Sequence, residues 1–229
     1  LDTFLEQFRS YRLGLRYEKL IIFFLLYLQE QGRISKLNHN VPIYDDKKVS
    51  LGELDIVFYD NELESRVHLE LSVKYYLFRP EEFNYQRFSG PNGHDWLHHK
   101  VEHLFSRQLA ISNSIEGKIA IKEHFGDTMS SAPLLKQLLM KGNLYHPLNH
   151  EFSFNDEENG FINPDFSKGW WTYPEYFYQA DTQHIGRWII LEKLDWIIPH
   201  FYPYQEDKLL TAKEMTIMIK RHFSQSKRS

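Results

Sequence analysis

A set of charged side chains early in the chain has the types and spacing for metal-assisted chemistry. Glu70 and Lys74 share one face of a predicted strand, because side chains alternate between the two faces of a strand. Asp55 lies on the preceding predicted strand, and pairing of the two strands would bring it close to Glu70. Glu18 lies on a predicted helix beside a strongly apolar face, so we expect it at the edge of the core. Carboxylates that hold hard divalent cations, with a lysine near the developing charge, are the groups that metal-assisted phosphodiester cleavage needs.

The spacing of apolar residues predicts the elements that carry these side chains. Apolar positions three and four residues apart predict an amphipathic helix over 12–29. Short β-branched and aromatic segments at 41–44 and 54–59 flank the polar residues 45–48, a pattern typical of two antiparallel strands joined by a hairpin turn. Apolar and polar residues then alternate over 67–74, which predicts a strand with one polar face.

The rest of the chain continues the alternation of helices and strands. A glycine-containing turn at 90–93 precedes a second predicted helix, which carries Gln108 on the same stripe as its apolar residues. Thr211 and Glu214 form a capping-box pattern ahead of a final helix. The aromatic segment 170–178 favours a role in the core over a surface that stacks bases. The other predicted elements are a strand over 117–125, a helix over 133–140 and strands over 143–145 and 187–194.

Composition narrows the class of protein. The 229 residues show no break in composition, so we expect a single domain over 1–229, with a core at 10–125 and a C-terminal elaboration at 126–229 packed on it. With 17 Phe, 14 Tyr and 5 Trp, the chain has the aromatic content of a folded core and not of a disordered protein. No apolar run reaches the roughly 20 residues of a membrane helix, so we expect no membrane partner.

Charge and cysteine content limit the chemistry further. A formal net charge of −4 gives no overall attraction to phosphate, so a nucleic acid would need a local basic patch. The absence of cysteine excludes a disulfide framework and a thiolate metal site or nucleophile, and it is compatible with the cytoplasmic location that we expect. The chain begins with Leu1 and has no signal-peptide pattern, so we expect a trimmed start.

A series of short motifs runs along nearly the whole chain. They are RLGLRYE at 12–18, LGELD at 51–55, HLELSVK at 68–74, GPNGHD at 90–95, GWW at 169–171, and LDW at 194–196 with Pro199. In these motifs the chain resembles the DUF1853 family of uncharacterised bacterial proteins, which is related to the PD-(D/E)XK nucleases. The resemblance implies an α/β fold, with a restriction-endonuclease-like mixed β-sheet core flanked by helices and an aromatic-rich C-terminal elaboration.

The resemblance also implies roles for individual residues. Glu18 matches the acid of the first helix, Asp55 the strand acid and Lys74 the motif lysine, while Gln108 lies where some relatives have a polar helical residue. The motif acid should lie two residues before the lysine, but Ser72 occupies that position and the glutamate is Glu70. Along an extended strand, Glu70 and Lys74 would be about 13 Å apart.

The leading hypothesis is therefore a nuclease-like protein that requires a divalent metal, magnesium (Mg²⁺) or manganese (Mn²⁺), and acts on nucleic-acid phosphodiesters, with DNA favoured over RNA. The alternative is an inactive nuclease-fold module that binds nucleic acid or a protein partner. The predicted site consists of Asp55, Glu70 and Lys74 as catalytic residues, Glu18, Asp55 and Glu70 as metal ligands, and Ser72 and Gln108 as accessory residues.

A third hypothesis rests on histidines of the second predicted helix. His94 and His98, and likewise His99 and His103, lie four residues apart, a spacing that can place two imidazoles on one zinc ion. A solvated, histidine-rich helix face explains the same pattern.

Overall fold

The computed structural model describes residues 12–80, 88–127, 129, 131–148, 162–163, 165–179, 186–197 and 206–225. These residues form helices and a six-stranded β-sheet, which confirms the predicted mixed α/β class. The restriction-endonuclease-like topology stays a prediction. The chain divides into two compact units, Leu1–Leu144 and Tyr145–Ser229.

The first described elements of the first unit are a helix and a hairpin, as the sequence predicts. Helix α1 (Leu13–Glu30) buries Leu13, Tyr17, Ile22 and Leu25 on a broad face. Strands β1 (Ile34–Tyr44) and β2 (Ser50–Asp60) pair antiparallel and extend beyond the predicted segments. In the turn between them, Asp45 Oδ1 accepts hydrogen bonds from the backbone N–H groups of Lys47 (2.9 Å) and Val49 (2.7 Å).

Strand β3 (Ser65–Phe78) pairs antiparallel with β2, so that Ile56 lies opposite Leu69 and Val57 opposite His68. The two faces of this strand pair differ. One face joins Ile22 and Leu25 of α1 in the main apolar core. The other face of β3 carries buried polar side chains, namely His68, Glu70 and Ser72.

A helical segment follows a short strand. Strand β4 (Phe88–Ser89) pairs with β3, and helix α2 (Leu97–His103) continues directly into a π-helical turn, Leu104–Gln108. In that turn the N–H of Leu109 donates to the carbonyl oxygen of Leu104 at 2.8 Å, five residues back. A 3₁₀ turn (Ile111–Asn113) leads into helix α3 (Ile115–Phe125). The predicted second helix is confirmed, with a change of helix type that periodicity does not reveal.

The strand predicted over 117–125 is wrong, because these residues form most of α3. The side chain of Ser114 accepts from Gly117 N–H at 2.9 Å and caps the helix, while Ile121 and Phe125, four residues apart, are buried together. A short apolar run does not distinguish a buried strand from a buried helix face.

The helix predicted over 133–140 is also wrong, because the chain forms strand β5 (Leu134–Pro147), which includes the strand predicted over 143–145. β5 lies next to β3 in the sheet. Pairing with a neighbouring strand overrides a local preference for helix, which is weak in so short a segment.

The second unit contains strand β6 (Ser167–Trp171), helix α4 (Pro174–Gln179), 3₁₀ turns at Lys193–Ile197 and Glu206–Lys208, and helix α5 (Ala212–Gln225). Thr211 N–H donates to Glu214 Oε2 at 2.8 Å, and Glu214 N–H donates to Thr211 Oγ1 at 3.3 Å, which confirms the predicted capping box. The strand predicted over 187–194 is wrong, because that segment makes one isolated bridge, between Trp188 and Leu210.

The aromatic segment of this unit is partly core and partly surface. Phe177 is buried and meets the ring of Trp188 edge-on, with centroids 5.3 Å apart, whereas Trp170 is 70% exposed. Among the residues that the structure describes, no helix combines the length and apolar character needed to cross a membrane.

Gly142 provides a test of the close approach between β5 and β3. Its φ is +146°, and a Cβ at this position would overlap the carbonyl oxygen of Lys74. We expect Gly142→Ala to lower the free energy of unfolding by more than about 2 kcal/mol in urea denaturation, because backbone must move. The control is Gly14→Ala in α1, where a Cβ meets nothing within 4 Å. Because alanine favours the helix over glycine, this substitution should raise the free energy of unfolding by about 0.5 kcal/mol. A Gly142→Ala protein as stable as wild type would contradict the described contact.

Candidate active site

The site is built around Glu70, whose side chain is 0% exposed. Its Oε1 lies 2.7 Å from Nε2 of His68, two residues earlier on the same strand, and accepts from the backbone N–H of Asp55 at 3.4 Å. Its Oε2 accepts from Nε2 of Gln108 at 3.0 Å. Both carboxylate oxygens are thus engaged within the protein, which offsets the cost of removing this group from water.

Asp55 is the second acid of the site. The register of β2 and β3, continued by one residue, places it beside Glu70, and its Oδ2 accepts from Leu71 N–H at 2.8 Å. Burial raises the pKa of Asp55 to about 7; the Leu71 hydrogen bond lowers it, and the negative charges of Glu70, Glu53 and Glu18 raise it. Asp55 therefore changes charge near neutral pH.

Lys100 and Gln108 reach the site from the helical segment. Lys100 Nζ donates to Gln108 Oε1 at 3.0 Å, so that Gln108 connects the lysine to Glu70. In a regular α-helix, two side chains eight residues apart point in directions that differ by about 80°. The π-helical turn between them rotates less per residue and brings both side chains to the same side.

Several charges act on Lys100. Burial lowers the pKa of Lys100, and the positive charge of Lys74 lowers it further, while Asp95, Asp55 and Glu70 raise it. Both lysines and the acids of the site therefore lie within electrostatic range of one another.

Lys74 contacts an acid that is not among the predicted site residues. Its Nζ forms an ion pair with Asp95 Oδ2 at 2.5 Å, and the two side chains are 34% and 35% exposed. Although the structure describes all of these residues, Lys74 makes no hydrogen bond to Asp55 or Glu70. The next side chain on the same face, Tyr76, has a pKa raised by burial and by the negative charge of Asp95.

The remaining predicted site residues lie around this centre. Ser72 is buried between Glu70 and Lys74 on the same face of β3. Glu18 is half-buried on α1, and its charge acts on Asp55. The structure thus brings Glu18, Asp55 and Glu70 within electrostatic range.

The described side chains of the site fit a metal bound through one or two carboxylates better than a metal held by three or more protein ligands. In the described ranges, no group of three His, Asp or Glu side chains is arranged to hold a metal ion, and this applies to the helical histidines as well. The rings of His98 and His99 instead lie 3.9 Å apart. Mg²⁺ usually keeps several waters and binds through one or two carboxylates rather than an all-protein cage. Asp55 fits such a site, since its Oδ1 accepts no hydrogen bond from the described residues, whereas Glu70 would first have to exchange its own hydrogen bonds.

Sequence reasoning missed three residues of this cluster. His68 shares the face of Glu70 by simple alternation, so the strand period was a usable signal. Asp95 belongs to the turn motif GPNGHD, which gave no role for its carboxylate. No pattern in the sequence pointed to Lys100, because its alignment with Gln108 depends on the π-helical turn.

Comparison with known proteins gives a family without an assigned activity. The family model described as Domain of unknown function (DUF1853) matches residues 1–229. No curated protein and no solved structure matches the chain.

The raised pKa of Asp55 predicts how stability changes with pH. An aspartate has a pKa of about 3.9 in an unfolded chain, so between pH ~4 and ~7 the folded protein binds a proton that the unfolded one has lost. The free energy of unfolding therefore falls as pH rises through this interval. In Asp55→Asn this loss is absent, while the amide oxygen can still accept from Leu71 N–H. We expect Asp55→Asn to be more stable than wild type at pH 8 by about 1–2 kcal/mol, reduced from the full linkage value because the group is partly solvated, and little different at pH 4.

Thermal denaturation from pH 4 to pH 8 measures this difference. The control is Asp46→Asn, which removes the same charge at an exposed position of the β1–β2 turn and should follow wild type. Parallel pH profiles for Asp55→Asn and wild type would show that Asp55 does not titrate in this interval.

Proposed function

The chain belongs to the DUF1853 family, and we propose that it is a nuclease-like hydrolase acting on phosphodiester bonds of nucleic acid. The observation that supports this most is the meeting of Asp55, Glu70 and Lys100 beside β2 and β3, with Lys74 within electrostatic range. Phosphodiester hydrolysis requires a group that takes a proton from water and positive charge that stabilises the negative transition state. This cluster contains both in a partly desolvated place.

Asp55 is the general base in this proposal. A base works best when its pKa is near the working pH, and the pKa of Asp55 is raised to about 7. One oxygen receives the Leu71 N–H, which leaves Oδ1 to approach a water molecule. Deprotonation is required for this role, so activity should rise as pH increases through about 7.

Glu70 acts through its neighbours. Because both of its oxygens accept hydrogen bonds, it is a positioning residue that orients the backbone of Asp55 and the amide of Gln108. Lys100 provides positive charge for the phosphate, and Lys74, paired with Asp95, lies within electrostatic range of it. Mg²⁺ or Mn²⁺ held at Asp55 through a coordinated water, with Glu18 in electrostatic range, would add positive charge opposite the phosphate and leave Oδ1 to take a proton from water. A preference for DNA over RNA stays a prediction.

The alternative proposal is a module that binds nucleic acid or a protein without cleaving it. Two observations favour it: Ser72 occupies the position of the motif acid, and the hydrogen bonds of Glu70 are satisfied within the chain. A closed network of this kind can stabilise a fold without doing chemistry.

Cleavage assays distinguish the two proposals. Plasmid, single-stranded and branched DNA, and RNA of matched sequence, are incubated with the full chain with and without Mg²⁺ or Mn²⁺. We expect metal-dependent cleavage whose kcat/KM falls by about 10²–10⁴-fold in Asp55→Asn, the contribution typical of a general base. Asp46→Asn should cleave like wild type.

Calorimetric titration of the same metals into wild type and Asp55→Asn completes the experiment. Heat of binding that Asp55→Asn loses would locate the metal at Asp55. Nucleic-acid binding without cleavage would support the binding module, and neither binding nor cleavage would refute a nucleic-acid substrate.

A further inference from the structure

Lys100 carries a charge that none of the described residues neutralises directly. Its one hydrogen bond in the described part of the chain goes to the neutral amide oxygen of Gln108, at 3.0 Å. Within that same part, no carboxylate lies at ion-pair distance from its Nζ. A lysine ammonium has three N–H donors, so two remain for a ligand.

Lys74 is the opposite case. Its ammonium contacts the Asp95 carboxylate at 2.5 Å, and this pair is charge-neutral. An incoming anion would have to break that ion pair, or meet the negative charge of Asp95, before it could gain from Lys74. The two neighbouring lysines therefore differ in what they offer an anion.

We propose that Lys100 is the residue that binds the phosphate oxyanion of the substrate, and that Gln108 with the π-helical turn positions its ammonium for this contact. The identification of the anion as a phosphodiester rests on the proposed function. Burial and the charge of Lys74 both disfavour the Lys100 ammonium, and a bound anion compensates for both.

The position of Lys100 suits this role. Gln108 donates to Glu70 Oε2 and accepts from Lys100, so a single amide sets the distance between the lysine and the acids. Asp55 lies on the other side of Glu70, close enough for its charge to act on Lys100. An oxyanion held by Lys100 would therefore lie within electrostatic range of the base.

Inorganic phosphate is the probe, because it tests the anion site without requiring cleavage. The full chain, labelled with ¹³C and ¹⁵N in its lysines, is titrated with phosphate and followed by NMR, with signals assigned by their loss in Lys100→Met and in Lys74→Met. We expect the side-chain signal of Lys100 to move saturably and that of Lys74 to stay. Movement of Lys74 without Lys100, or of neither, would overturn the proposal.

Substitutions give a second measurement by calorimetry with phosphate. Lys100→Met should weaken binding by about tenfold or more, the usual effect of losing a charged hydrogen bond, and Lys100→Arg should keep most of it. The matched control is Lys74→Met combined with Asp95→Asn, which leaves the net charge of the site unchanged and should alter binding by less than about threefold. An equal loss in this control would refute the distinction between the lysines.

The outcomes separate this proposal from the proposed function. Phosphate binding at Lys100 in a protein that does not cleave nucleic acid would refute the hydrolase and keep the anion site. Cleavage that persists in Lys100→Met would keep the hydrolase and refute the role of Lys100.

Discussion

The arrangement depends on the burial of Glu70. A carboxylate removed from water is costly unless its oxygens are hydrogen-bonded, and removing one partner is worse than never burying the group. The donors come from three places: His68 on the same strand, the backbone of Asp55 on the neighbouring strand, and Gln108 on the helical segment. Glu70 can therefore be buried only when β2 and β3 pair in the observed register and the π-helical turn forms. The same two features place Asp55 and Lys100.

This dependence explains which parts of the site the sequence could predict. Strands have a side-chain period of two whatever surrounds them, so the common face of Glu70, Ser72 and Lys74, and the neighbourhood of Asp55, follow from alternation. The position of Lys100 does not, because a regular helix would turn it about 80° away from Gln108. The π-helical turn brings Gln108 to Glu70 as a hydrogen-bond donor. Because Glu70 is buried only in the folded protein, the local sequence does not predict this turn.

The errors in the fold have a related cause. Residues 117–125 form a helix where the sequence predicts a strand, and residues 134–140 form a strand where the sequence predicts a helix. Both are short segments in which apolar residues are about half of the sequence. In such segments the partner decides: Ser114 starts a helix that buries Phe125, and the glycine at 142 lets β5 approach the backbone of β3. Two of the helices predicted correctly, α1 and α5, have either a broad apolar face or a capping box, which are local signals.

The position of Ser72 argues less strongly against catalysis than the motif suggests. A motif of acid and lysine two residues apart works when both side chains come from one strand, and here Glu70 and Lys74 are separated by about 13 Å of extended chain. A lysine on a helix does not obey the strand period, so Lys100 can approach the acids from outside the sheet without an acid at position 72. A serine at position 72 does limit the number of carboxylates with an open oxygen. With Glu70 engaged on both sides, Asp55 is the member of the strand pair that can meet water or a cation, and the chemistry that we propose depends on its charge near neutral pH.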